Sequence, residues 1–342
     1  MSEAHEGSKR AIVAAAGANL LIAATKFAGW ALTGASSMLA EAIHSTADTG
    51  NQVLLMLGGR SAARQADEDH PFGYGRARYL SAFVVAIILF TLGGLFALRE
   101  AWVKTVDTLH GVHDELLSSS WWWVPPVILV AALAAEGTSL RVALRETHEE
   151  RRRLGLSLLA YVRRAKAPEL PVVMLEDSAA VLGLVFALAG VGLTILTGNG
   201  LFDAIGTACI GVLLVVVAVI LGTEMRSLLE GESATPESRA AIRAALEGTD
   251  GVDSVIHMKT VHLGPETIMV AAKIAVDPTD SAQRVARVID AAEVAVRTAE
   301  PLVGPLYLEP DIRRPDPSGS HGPTTTDDPA TTRTSTDGGP HD

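Results

Sequence analysis

The sequence predicts an α-helical membrane protein, with six transmembrane helices followed by a small cytoplasmic α+β domain. Hydrophobic residues make up 48% of the 342 residues, and most of them cluster in six apolar stretches. Each stretch has the roughly 20 residues that a helix needs to cross about 30 Å of hydrocarbon. The last stretch of the chain is rich in Pro, Thr and Asp, and it buries too little apolar surface to fold. These observations predict a transmembrane domain at 1–226, a soluble domain at 227–312 and a disordered tail at 313–342.

The six spans alternate with loops of unequal charge. Their approximate bounds are Ala11–Leu32, Met38–Leu57, Leu80–Leu98, Trp121–Val142, Val172–Leu196 and Ala204–Leu221. Arginine and lysine are concentrated before the first span, in the second and fourth loops, and after the sixth span. Because short basic loops stay on the cytoplasmic side, we expect a multi-pass protein of the cell inner membrane with both termini in the cytoplasm.

The region after the sixth span predicts the order helix, strand, strand, helix, strand. The first helix begins at a Thr-Pro cap and covers 235–247, and the second is capped by Asp-Ser and covers 280–299. The predicted strands are Val252–Val261, Thr267–Val276 and a short one at Leu306–Leu308. This order is typical of a small domain with helices on one face of a sheet.

Composition and motifs exclude several classes of function. The net charge of −11 argues against a nucleic-acid partner, which requires a basic surface. The single cysteine, Cys209, excludes a disulfide within the chain and a cluster of thiolate ligands. The common hydrolase and nucleotide-binding motifs are absent, so we expect neither an enzyme nor a bound cofactor. The first residues lack the pattern of a cleaved signal peptide, so we expect the first span to remain in the mature protein.

The second span contains Glu41, His44, Asp48, Asn51 and Gln52 among otherwise small and apolar residues. Glu41, His44, Asp48 and Asn51 are three or four positions apart, so they share one helix face. Ionisable groups at membrane depth are costly, which marks them as functional by default. An imidazole and a carboxylate four residues apart can both ligate one ion, so His44 and Asp48 are predicted metal ligands. The alternative is an ordinary polar contact between helices.

The fifth span contributes two adjacent carboxylates, Glu176 and Asp177. Adjacent helical residues point about 100° apart, so both cannot face one small ion equally well. We favour Asp177 as a ligand and Glu176 as a neighbouring or proton-handling group, with an interfacial pair as the alternative. At similar depth, Lys26 could pair with a carboxylate and Glu136 could relay protons.

Other histidines and carboxylates lie outside the spans. Asp69 and His70 belong to an acidic loop that could bind a peripheral metal or attract cations, although a solvated loop is the alternative. His257, His262 and Asp311 in the soluble domain are candidate regulatory ligands. Their spacing is not diagnostic of a metal site, and incidental surface histidines are the favoured interpretation.

The stretch Thr33–Gln52, TGASSMLAEAIHSTADTGNQ, resembles the second-helix signature of the cation diffusion facilitator family. His70–Arg76, Leu175–Ala180 and Phe202–Gly206 are similar to the family's loop after helix two and to its fifth and sixth helices. The resemblance extends over about 9–311. It implies that the protein exports zinc or a related divalent ion in exchange for protons. It also implies a homodimer whose cytoplasmic domains have a metallochaperone-like fold.

Two departures from the family pattern bear on the substrate. Zinc-transporting members have a histidine or aspartate four residues before the helix-five aspartate, where this chain has Val173. The Glu176-Asp177 pair resembles instead the branch that includes the mitochondrial zinc transporter. An oxygen-rich ligand set suits harder ions, so manganese, iron and cobalt remain alternatives to zinc. Tyr74 replaces the second histidine of the loop, which implies a weak or absent peripheral site.

The hypothesis for the mechanism is alternating access of one ion site within the 1–226 transport domain. Metal binding requires a neutral imidazole and ionised carboxylates, so it displaces protons, and protons compete for the same groups on the outer side. His44 suits this exchange because the ordinary histidine pKa lies near 6.5. The alternatives are a transporter of another solute and a membrane metal sensor without flux.

Overall fold

The computed structural model describes residues 2–112, 114–155, 157 and 169–313. Within these ranges six long helices form a bundle and a small α+β domain follows it, which confirms the predicted fold class. The bundle helices, with a short α4 between two of them, are α1 (Ser2–Thr33), α2 (Ser36–Ala62), α3 (Ala77–Leu109), α4 (Glu115–Ser118), α5 (Val124–Leu154), α6 (Glu169–Thr197) and α7 (Leu201–Glu230). The tail predicted to be disordered lies outside the described residues, apart from its first position.

Four helices in the described ranges are long and apolar enough to cross a membrane by length and composition alone. These are α3, α5 over Val124–Arg145, α6 over Val172–Thr197, and α7. Helices α1 and α2 contain 32 and 27 residues, which also exceeds the roughly 20 that a span requires. Both pack into the same bundle, and α2 contacts α1, α3, α6 and α7. The polar residues of α2 are therefore surrounded by other helices.

Several helices extend beyond the predicted spans, because hydropathy detects their apolar part and not their polar ends. Helix α5 continues through a charged stretch to Leu154, and α3 begins at Ala77 and ends at Leu109. The middle of α3 is a π-helical stretch, Val85–Phe90. π-Helical stretches are rare in proteins, and those that do occur often lie at functional sites.

Glycines bring the backbones of α3, α6 and α7 close together. A Cβ added to Gly190 of α6 would lie 2.9 Å from the carbonyl oxygen of Phe202 in α7. A Cβ added to Gly94 of α3 would lie 3.1 Å from the carbonyl oxygen of Gly211 in α7. Small residues at helix crossings permit such close packing in a membrane, where no hydrophobic force drives helices together.

The soluble domain consists of α8 (Pro236–Glu247), β1 (Ser254–Gly264), β2 (Thr267–Ala275), α9 (Ala282–Ala299) and β3 (Val303–Asp311). The sheet order is β1-β2-β3, with an antiparallel first pair and a parallel second pair. The predicted caps are present: the side chains of Thr235 and Ser281 accept bonds from the first turns of α8 and α9. One core forms where both helices pack their apolar faces on the sheet.

Strand β3 is much longer than the three residues predicted for it. It pairs with β2 from Val303 to Asp311, a contact that no local pattern reveals. Pro305 and Pro310 weaken the strand signal in the sequence, but proline is tolerated on an edge strand such as this one. Strand β1 likewise starts and ends later than predicted, at Ser254 and Gly264.

The β1–β2 turn contacts the end of the bundle where α2 ends and α3 begins. We call this end the domain side and the opposite end, where α2 begins, the far side. A Cβ added to Gly75 in the α2–α3 loop would lie 2.7 Å from the carbonyl oxygen of Leu263. The Nη1 atom of Arg78 lies 3.1 Å from Oε1 of Glu266 in the turn. The soluble domain is thus attached to the start of α3 as well as to the end of α7.

Candidate metal centre

The polar face of α2 is turned into the bundle. Glu41, His44, Asp48 and Asn51 are 0%, 1%, 7% and 0% exposed. Their shared face follows from the spacing of the sequence, and the helices around α2 shield it from lipid. Burying four polar side chains costs free energy unless each finds a partner. The partners of each side chain therefore decide what this face can bind.

His44 and Asp48 form the centre of the face. The His44 Nδ1 atom lies 3.4 Å from Oδ1 of Asp48. Within the described part of the chain, neither nitrogen of His44 has a hydrogen-bond partner, and neither does Asp48 Oδ1. Buried polar atoms are normally bonded, so three open atoms at one place indicate a site for a ligand from outside the chain. Open imidazole and carboxylate atoms are the donors that a divalent transition metal prefers.

Helix α6 adds Glu176 to this centre. Asn51 donates a short hydrogen bond from Nδ2 to Oε2 of Glu176. The Glu176 carboxyl group also lies within hydrogen-bonding range of the Asp48 carboxyl group. The amide oxygen of Asn51 has no hydrogen-bond partner among the described residues. Two helices therefore converge on the same place, with carboxylate oxygens from both.

Asp177 points elsewhere. It is only partly buried, and its Oδ2 atom accepts a 2.9 Å hydrogen bond from the Ser139 hydroxyl of α5. The 100° step between neighbouring helical residues accounts for the separation of the two carboxylates. In this conformation Glu176 lies beside Asp48 and Asn51, whereas Asp177 contacts Ser139, so the preference for Asp177 as the ligand stays a prediction.

The centre is not a closed coordination shell in this conformation. No group of three or more histidine, cysteine or acidic residues in the described ranges is already arranged to hold a metal ion. Joining His44, Asp48 and Glu176 around one ion requires a change of rotamer or a shift of α2 against α6. The ring of His44 also lies 6.1 Å from that of Phe90, at the end of the π-helical stretch of α3. Helix α3 thus places an aromatic ring next to the imidazole.

A buried ion pair lies one turn farther towards the far side. The Nζ atom of Lys26 lies 3.0 Å from Oε2 of Glu41 and donates a 2.7 Å bond to the Ser45 hydroxyl. The pairing predicted for Lys26 is thus observed. Glu136 lies on α5, within electrostatic range of Lys26, Glu41 and Asp177.

Asp203 is a buried carboxylate whose role the sequence reasoning missed. Its oxygens accept hydrogen bonds from the backbone amides of Ser36 and Ser37, at 2.7 and 3.3 Å, and from the Ser36 hydroxyl at 2.9 Å. The residue at the N-cap of α2 is Ala35, which cannot supply this cap itself. A carboxylate at the positive end of a helix is favourable. The available signal in the sequence was its position directly before the sixth predicted span, where an ionisable group lies next to the membrane interior.

The α2–α3 loop uses its acidic residue as an internal anchor. Asp67 accepts hydrogen bonds from the Tyr74 hydroxyl at 2.6 Å and from the His70 backbone N–H at 2.8 Å. These bonds, Tyr74 first, hold the pKa of Asp67 below its ordinary value. The Arg64 guanidinium lies 4.1 Å from the centre of the Tyr74 ring. Asp69 is exposed, so the predicted pair of Asp69 and His70 lies in a loop whose organising group is Asp67.

In the soluble domain a lysine holds the carboxylates. The Nζ atom of Lys273 lies 2.9 Å from Glu309 Oε1 and 3.1 Å from Asp311 Oδ2. Hydrogen bonds to these two groups raise the pKa of Lys273. Lys273 also faces His257 in the register of β1 and β2, so it separates that histidine from the carboxylates. His262 is buried at the other end of β1, and the structure does not bring His257, His262 and Asp311 together.

Comparison with known proteins gives the family. A sequence profile described as the cation efflux transmembrane domain matches residues 12–229. The match extends from within α1 to the last turn of α7, and it confirms the resemblance that the second-helix signature indicates. Members of this family are membrane transporters.

Two curated relatives cover most of this chain. The mitochondrial proton-coupled zinc antiporter SLC30A9 of Xenopus laevis is 35% identical over 254 residues, which are 74% of this chain and 44% of that protein. Metal tolerance protein C4 of Arabidopsis thaliana is 31% identical over 271 residues, 78% of this chain and 57% of that protein. The chain thus spans about half the length of these relatives. A solved MamM C-terminal domain is 25% identical, covers 22% of this chain and 95% of its own, and has a TM-score of 0.22.

Proposed function

The chain belongs to the cation efflux family, and on that premise we propose that it exports a divalent transition metal, with zinc as the first choice, in exchange for protons. The observation that carries this proposal is the buried pair of His44 and Asp48, whose facing atoms have no hydrogen-bond partner in the described ranges. Glu176 adjoins the pair from a second helix. This is a nitrogen and oxygen site in the interior of a membrane bundle, where an uncompensated polar group is most costly.

Zinc fits the donor set because it accepts imidazole and carboxylate ligands in a four-coordinate shell. The name of the Xenopus relative states that it is a proton-coupled zinc antiporter, and this adds support for the same substrate. A harder ion is the second candidate, because Asp48, Glu176 and the amide oxygen of Asn51 outnumber the single imidazole. Manganese, iron(II) and cobalt therefore belong in every test.

The coupling follows from the chemistry of the ligands. A metal ion requires the neutral imidazole of His44 and the ionised carboxylates of Asp48 and Glu176, so binding displaces any protons that these groups hold. Release on the opposite side leaves the same buried groups without a partner, and protons then satisfy them. The open arrangement around His44 suits alternating access, since a shift of α2 against α6 would close the shell around the ion.

The setting of this exchange is also part of the proposal. We place the domain side in the cytoplasm, since the basic loops lie at that end, and the protein in the cell inner membrane. The first relative is named as a mitochondrial protein, so the membrane itself is part of what must be tested. A homodimer is the expected assembly.

Flux in proteoliposomes tests the proposal. Purified protein is reconstituted with a pH dye inside, and zinc, manganese, cobalt and iron(II) are added in separate experiments. We expect zinc movement with opposite proton movement in the wild type, and loss of both in His44→Ala. The matched control is His257→Ala, an exposed histidine on the sheet, which should transport like the wild type. Wild-type flux in His44→Ala would contradict the proposal, and flux of a harder ion alone would replace zinc as the substrate.

A further inference from the structure

Lys26 is a fully buried lysine in the interior of the bundle. It is 1% exposed, and its ammonium lies 3.0 Å from Oε2 of Glu41 and 2.7 Å from the Ser45 hydroxyl. Glu41 is itself 0% exposed. A buried ion pair rarely adds net stability, because the desolvation of two charges offsets their attraction. A function other than stability is therefore worth seeking for it.

The pair lies beside the proposed metal centre and towards the far side of it. Along α2 from the far side, Glu41 comes first, then His44 and Ser45, then Asp48. The ammonium of Lys26 reaches Ser45, the residue directly after His44, so its positive charge lies beside the proposed centre. An ion that leaves the centre towards the far side must approach this positive charge.

The carboxylate of Glu41 lies between Lys26 of α1 and Gly183 of α6. One oxygen faces Lys26, and a Cβ added to Gly183 of α6 would lie 2.5 Å from the other oxygen, Oε1. The absence of a side chain at Gly183 is what leaves room for this oxygen. In the described ranges Glu41 Oε1 has no hydrogen-bond partner. Lys26 thus places an opposite charge against Glu41, next to the proposed metal centre.

We propose that Lys26 is a positioning residue that holds Glu41 away from the metal ion and lowers the affinity of the centre for divalent cations. The paired ammonium and carboxylate sum to no net charge, so the ion meets only the carboxylates of Asp48 and Glu176. Without Lys26, Glu41 is free to turn towards the ion as a further anionic ligand. This inference rests on the proposed function, and it specifies what makes binding weak enough for release.

A purely structural role for the pair predicts the opposite sign. If Lys26 only holds α1 against α2, its loss loosens the centre and weakens metal binding. If Lys26 sets the charge of the centre, its loss strengthens metal binding and slows release. A full charge within roughly 10 Å of a divalent ion changes its affinity by about tenfold or more at the effective dielectric of a protein interior.

The test measures KM and kcat for zinc flux in proteoliposomes, with zinc affinity in detergent measured by competition with a fluorescent chelator. We expect Lys26→Met to lower both KM and the dissociation constant about tenfold and to lower kcat, because release becomes slow. Glu41→Gln should raise KM by a similar factor, since it leaves the lysine charge uncompensated. The double variant should fall between the two single variants. Lys26→Arg keeps the charge, so its KM should lie closer to the wild type than that of Lys26→Met.

Each result bears on the proposal. A folded Lys26→Met protein with an unchanged or higher KM would overturn the role of Lys26 while leaving zinc transport intact. A wild-type protein that neither binds nor moves any divalent metal would instead remove the proposed function. If Lys26→Met does not fold, the KM values of Glu41→Gln and of the double variant test the proposal instead. An unchanged or lower KM in Glu41→Gln would then overturn the proposal.

Discussion

The polar face of α2 and the sheet of the soluble domain contain the same residue types and use them differently. In the sheet, Lys273 binds both Glu309 and Asp311, and it separates them from His257. In the bundle, His44 and Asp48 lie 3.4 Å apart with open atoms, while Lys26 binds Glu41 and the Ser45 hydroxyl. The difference shows that residue types alone do not identify an ion site. We take as the mark of such a site a set of adjacent buried donors that the rest of the described residues leave unsatisfied.

The largest difference in zinc flux is expected between two single variants, each of which loses one carboxylate: one in the bundle and one in the sheet. Asp48→Asn removes an anionic ligand next to His44, and we expect zinc flux to fall by more than about 100-fold. Glu309→Gln removes a carboxylate that pairs with Lys273 on the sheet, and its flux should match the wild type. Transport assays on both variants at matched protein density make the measurement. A greater loss in Glu309→Gln than in Asp48→Asn would reverse the comparison.

The second prediction compares the contributions of the two α6 carboxylates to zinc affinity. Glu176 adjoins Asp48 and Asn51, whereas Asp177 accepts a hydrogen bond from Ser139. We expect Glu176→Gln to weaken zinc binding by about tenfold more than Asp177→Asn. Competition with a fluorescent chelator measures both affinities. Equal losses would mean that the two residues change places during transport, and a larger loss in Asp177→Asn would support the preference drawn from the sequence.

The third prediction compares the loss of stability on removing a buried helix cap in the bundle with the loss on removing an accessible cap in the soluble domain. Asp203→Ala leaves the amides of Ser36 and Ser37 unsatisfied inside the bundle, and we expect it to cost about 2–3 kcal/mol of stability. Thr235→Ala removes the cap of α8, where water can replace it, and should cost about 1 kcal/mol. Thermal unfolding in detergent measures the loss of stability in each variant relative to the wild type. A cost for Thr235→Ala that equals or exceeds that for Asp203→Ala would contradict this account.

The smallest effect concerns pH and the α2–α3 loop. The hydrogen bonds from Tyr74 and His70 lower the pKa of Asp67. The stability that ionised Asp67 gives to the loop is therefore fully present above the ordinary aspartate pKa of 3.8. This stability is lost as the pH falls below 3.8 and through the lowered pKa of Asp67 in the folded protein. We expect hydrogen exchange in the loop to accelerate over this window, and Asp67→Asn to exchange fast at every pH. A loop that is equally protected at pH 6 in both proteins would show that Asp67 does not hold it.

Much of this arrangement could be predicted from local patterns. The spacing from Glu41 to Asn51 placed four polar groups on one face, and the caps of α8 and α9 are where the sequence indicated them. The parts that could not be predicted depend on distant residues. Asp203 caps a helix 167 positions away from it in sequence. The choice between Glu176 and Asp177 depends on the rotation of α6, which neither residue determines.

The central claim is that the bundle, and not the sheet, holds the ion. Equilibrium dialysis with zinc tests it directly on the wild type, on a His44→Ala/Asp48→Asn variant and on a His257→Ala/Asp311→Asn variant. The account predicts that the variant altered in the bundle loses the tightest zinc site, and that the variant altered in the sheet retains it with the affinity of the wild type. Retention of that site in the bundle variant, with its loss in the sheet variant, would contradict the account.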